Sequence, residues 1–94
     1  MGDSINEYIG RIDQRQQRMA ALAALIDAVT GKIFLPLIVE RLNLLRDRMS
    51  SGHQIDYARH VLPLLSELER ATGELREFDP FIAAVKRAFL STTA

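Results

Sequence analysis

Cysteine and tryptophan are both missing from the 94 residues, and only three prolines occur. Without cysteine there is no disulfide framework, no thiolate nucleophile and no cysteine-based zinc site. His53 and His60 are then the only imidazoles available to a metal. A surplus of charge is missing too: twelve basic side chains face twelve acidic ones, so no global field draws the chain toward nucleic acid or an anionic membrane. Long apolar runs are absent, because "MAALAALI" and "IFLPLIV" fall far short of the roughly 20 residues of a membrane span. "MGDSINEYIG" sets Asp3 and Glu7 ahead of any apolar run, the reverse of a basic secretory leader. Asn6 stands where a myristoylation signal wants Ser or Thr. The expectation is a soluble, cytoplasmic chain with no membrane partner.

What is present is a globular balance, 48% apolar and 26% charged, far from the signature of disorder. Ile5, Tyr8, Ile12, Met19, Leu22, Ile26 and Val29 follow alternating three- and four-residue spacings, with Arg15 in the one slot that breaks the heptad. The pattern predicts a helix over about 3–30, about 40 Å long at ~1.5 Å per residue. Asp3 or Ser4 can cap it, and Gly31 can close it in a left-handed conformation. Its N-terminal half has a narrow apolar stripe, whereas "MAALAALIDAV" is apolar around most of its circumference, as a helix covered on several sides requires.

In "KIFLPLIVERLNLLRDRM" a central strand is argued against by Pro36, which cannot donate to a ladder and suits a first helical turn. A second helix is expected over about 34–49, with a turn or a kink between Gly31 and Pro36. Ser51 and Gln54 stand in the capping-box relation, so a third helix is expected to start near 52 and run to about 76, kinked near Arg59 by Pro63. "FDPFIAAVKRAFL" offers Asp79 as N-cap and Pro80 at the first helical position of a fourth, over about 80–90. The fold expected is all-α: a small bundle of about four helices in one domain, with a long first helix, open to completion by dimerisation.

Chemistry has few footholds. On a helix His53, Asp56 and His60 fall on one stripe at i, i+3 and i+7, a set that can ligate a zinc-class metal. "HVLPL" is similar to the histidine-x-leucine core of histidine phosphotransfer domains, which follow it with a lysine and a small residue. Pro63 and Leu64 occupy those places here, and no family is assigned. An arginine-lined pocket for an anionic substrate, in the style of small chorismate mutases, needs a cation in "MAALAALIDAV", which has none. Arg11, Arg15 and Arg18, with Gln14 and Gln17, carry the donors that phosphates and base edges require. Asp13 stands among them and the total charge is zero, so a solvated polar face is preferred to a nucleic-acid contact. No catalytic, cofactor or metal site is expected. A small helical enzyme, phosphotransfer or metal-binding domain centred on His60 is the alternative.

Association is the stronger reading. A first helix longer than its partners leaves Ile5, Tyr8, Ile9 and Ile12 as an apolar stripe, edged by Arg11, Arg15 and Arg18. Contiguous apolar surface of this kind marks a partner or a second subunit. The expectation is a non-catalytic interaction module that pairs with itself as a homodimer or with another helical protein, as an adaptor or a chaperone-like binder of an amphipathic helix.

Overall fold

The computed structural model describes the backbone of residues 2–73 and 75–90, and the side chains of residues 14–73 and 75–90. Every regular element among them is helical: α1 over Gly2–Lys32, α2 over Pro36–Ser50, a π-turn over Tyr57–Val61 that leads into α3 over Leu62–Thr72, a 3-10 turn over Arg76–Phe78, and α4 over Asp79–Leu90. The result is the compact four-helix bundle that the apolar periodicity predicts.

The breaks differ from expectation in instructive ways. Gly31 does not close α1: its φ is not positive, the helix runs on to Lys32, and the Ile33 amide still donates to the Val29 carbonyl at 3.0 Å. Pro36 ends it instead. The residue before a proline is pushed out of the α region, and Leu35 stands at φ −130, ψ 68, with Pro36 in the first turn of α2. The junction is therefore a break of three residues and not a kinked continuous helix.

The expected capping box at Ser51 and Gln54 is not a helix start. Gly52, at φ 89, ends α2: its amide donates to the Met49 carbonyl and that of His53 to the Arg48 carbonyl, each at 3.0 Å. This pair of bonds is the Schellman arrangement, which uses up the glycine as a stop signal. The next helical segment starts only at Tyr57, capped by Asp56, whose carboxylate accepts from the Ala58 amide at 3.1 Å. Pro63 distorts this segment as a proline should, but by widening one turn. The Leu62 amide reaches back five residues to the Tyr57 carbonyl, which relieves the crowding a proline ring creates against the turn before it. α3 then stops at Thr72, not 76, because Gly73 takes φ 58, ψ −119, a combination open essentially to glycine. Asp79 is a further correction: it is already helical at φ −54, ψ −44, since the 3-10 turn feeds straight into α4.

The core is drawn from all four helices. Leu22, Leu25, Ile26 and Val29 come from α1; Leu42, Leu45 and Met49 from α2; Val61, Leu64, Leu65 and Leu68 from the third segment; Phe78, Ile82, Val85 and Phe89 from the last. α4 lies antiparallel on α1, with Lys32 3.9 Å from Glu77 at one end and Arg18 bonded to Ala88 and Phe89 at the other. Arg41 and Glu67 join α2 to α3 at 2.8 Å, and Lys86 and Glu69 join α4 to α3 at 3.0 Å. That hydrogen bond from Lys86 to Glu69 holds the lysine pKa above its ordinary value.

The outline is 50 by 23 by 23 Å. At 1.5 Å per residue the 31 residues of α1 span about 46 Å, close to the whole long axis. The other helices have 15, 11 and 12 residues, and α4 ends at the level of Arg18. The backbone of residues 2–13 therefore continues α1 past the end of the bundle.

Candidate functional site

Of the residues expected to bind a partner, Ile5, Tyr8, Ile9, Arg11 and Ile12 have side chains outside the described residues; their backbone is helical. Arg15 is exposed. Arg18 is half-buried and turned inward. Its Nε donates to the Ala88 carbonyl at 3.2 Å and its Nη2 to the Phe89 carbonyl at 3.4 Å, while the guanidinium stacks 5.1 Å from the Phe89 ring centroid. A cation at the last carbonyls of a helix meets both unpaired acceptors and the negative end of the helix dipole. Arg18 is thus a cap for α4, and Phe89 also meets Tyr57, 5.9 Å between ring centroids.

Arg15 and Arg18 share a cleft of about 260 Å³ with Gln14, His53, Gln54 and Ile55 at the end of the bundle where α1 leaves it. Heptad spacing could not have revealed this neighbourhood, because His53 and Phe89 arrive from distant parts of the chain.

The metal stripe is not assembled. His53 lies in the non-helical stretch before Tyr57, its Nδ1 3.3 Å from the Arg48 carbonyl oxygen, so the three residues do not share a helix. Asp56 uses its carboxylate on the Ala58 amide and on Arg59, 3.8 Å away. Among the described residues no group of three His, Cys, Asp or Glu is placed to hold a metal ion.

His60 belongs to a different constellation. It lines an open groove of about 270 Å³ between α2 and α3, whose floor is Leu44, Leu45, Pro63 and Leu64 and whose rim carries Arg41, Arg48, Arg59 and Glu67. The π-turn delivers Arg59 and His60 to one bank, and the i, i+3, i+7 spacing of Arg41, Leu44 and Arg48 along α2 forms the other. That spacing was readable in advance; the opposing bank was not, since it depends on how α3 begins.

A second apolar region surrounds the α1–α2 break, where Phe34 is 88% and Leu37 70% exposed. No helix among the described residues is long and apolar enough to cross a membrane. No known family model matches this chain, and no curated protein or solved structure matches it significantly.

Proposed function

We propose that the chain is a non-catalytic helical interaction module whose projecting N-terminal length of α1 binds a second helix, contributed by another copy of itself or by another helical protein. The observation that carries this reading is the mismatch of lengths. α1 spans nearly the full 50 Å long axis, while α2, α3 and α4 are half its length or less. A lone amphipathic helical extension gains little from its own propensity, since most helical stability in proteins comes from packing of the apolar face. Ile5, Tyr8, Ile9 and Ile12 supply such a face in sequence, and Arg15, which is exposed, is the cation that an acidic side chain of the bound helix would pair with.

The test is molar mass by light scattering over a wide concentration range, on the wild-type chain and on I5D/I9D. Concentration-dependent assembly of the wild type, abolished in I5D/I9D with the helical bundle intact by circular dichroism, is the expected result. Assembly of I5D/I9D as complete as the wild type overturns the reading. A wild type that stays monomeric directs the stripe to a different helical protein.

A further inference from the structure

The groove between α2 and α3 has an apolar floor and a cationic rim in a chain whose total charge is zero. Arg48 has no carboxylate partner among the described residues. Arg59 lies 3.8 Å from Asp56, with its side chain 82% exposed, and Arg41 shares Glu67 at 2.8 Å. Between these cations Leu44 is left 52% exposed. The π-turn that Pro63 imposes sets Arg59 and His60 on the groove's bank.

We infer that this groove is a docking site for a short acidic amphipathic helix of a partner protein. Two antiparallel helices with an apolar furrow between them are the usual receptacle for the apolar face of a third. Arg41 and Arg48 lie two turns apart on α2, about 10 Å, which matches acidic side chains spaced seven residues apart on the bound helix. The excess of arginine on the rim selects acidic flanks and rejects basic ones, since like charges across an interface are costly. A small carboxylate ligand fits less well: the groove is open along its length, whereas small-molecule sites enclose most of their ligand. The inference rests on the reading of the chain as an interaction module but uses a surface separate from the α1 extension.

The experiment is selection of a display library of random 16-residue peptides on the full-length chain, with affinities then measured for synthetic copies of the peptides recovered. The expected peptides pair leucine-class residues at i, i+3/i+4 and i+7 with flanking Asp or Glu. Their affinity falls at least about tenfold for R48E/R59E and also for Leu44→Ser, with both variants folded by circular dichroism, and is unchanged for I5D/I9D. Recovery of no peptide, of basic peptides, or of peptides indifferent to the groove variants overturns the proposal. So does binding that needs Ile5 and Ile9, which assigns the peptides to the α1 extension, or binding of dodecanoate at the groove in place of any peptide. Failure here leaves the light-scattering result on I5D/I9D untouched, so the two readings stand or fall separately.

Discussion

Arg18 shows how one side chain can belong to two descriptions. In sequence it is the third member of a basic edge with Arg11 and Arg15; in the fold it closes a helix that begins more than sixty residues later. Spacing along α1 locates it beside the apolar stripe but cannot say which helix end will arrive there, because that is fixed by the antiparallel packing of α4. Arg18→Ala should lower stability by about 1–2 kcal/mol in urea denaturation, from lost charge-assisted hydrogen bonds and the stacking on Phe89. Arg18→Lys should recover only part of this, since an ammonium lacks the planar fork that spans two carbonyls. A full loss in the lysine variant, or none in either, would contradict the capping role. The histidines teach the converse lesson. A metal stripe at i, i+3 and i+7 presupposes that all three residues are helical, and the Schellman stop at Gly52 leaves His53 outside the helix.

Glycine and proline decide where the elements break, and their meaning depends on neighbours more than on type. Gly31, Gly52 and Gly73 each stand near the C-terminal end of a helix, yet of these only Gly52 and Gly73 take positive φ; Gly31 is an ordinary helical residue with open space where a Cβ would sit. The sequence-based reading of Gly31 as a stop failed because Pro36 already restricts Leu35, and one terminator suffices. Capping motifs compete in the same way: Ser51 and Gln54 have the right spacing, but Asp56 wins since the chain between them is still completing the end of α2. By contrast, the four-helix pattern was legible throughout, because the apolar periods of Leu22 to Val29, Leu42 to Met49, Val61 to Leu68 and Ile82 to Phe89 each report a buried face directly. A paired substitution tests the assignment. Gly31→Ala should stabilise the chain by about 0.5–1 kcal/mol, the ordinary gain inside a helix. Gly73→Ala, at a backbone geometry alanine rarely adopts, should cost about 1–3 kcal/mol although a Cβ there meets nothing. Thermal denaturation of the two variants side by side reads both signs; two shifts of the same sign would refute it.

At the scale of the whole molecule the buried core among the described residues runs from Leu22 to Phe89, and the backbone of α1 begins at Gly2, well ahead of it. In the sequence α1 changes along its length from a narrow apolar stripe to an all-round apolar helix. The groove between α2 and α3 was not legible there, since it arises from two elements meeting. If the extension contributes nothing to the bundle, deleting residues 1–13 should leave the unfolding free energy within about 1 kcal/mol of the full chain, measured at low protein concentration where assembly adds no stability. The denaturant slope is the sharper readout, because it scales with the surface exposed on unfolding. A slope unchanged within the usual ~10–15%, with a smaller far-UV helical signal and no concentration-dependent mass, would place the apolar stripe in the service of association. A slope that falls well beyond that range would mean that residues 1–13 bury surface against their own bundle. The length mismatch on which the proposed function rests would then be satisfied within a single chain.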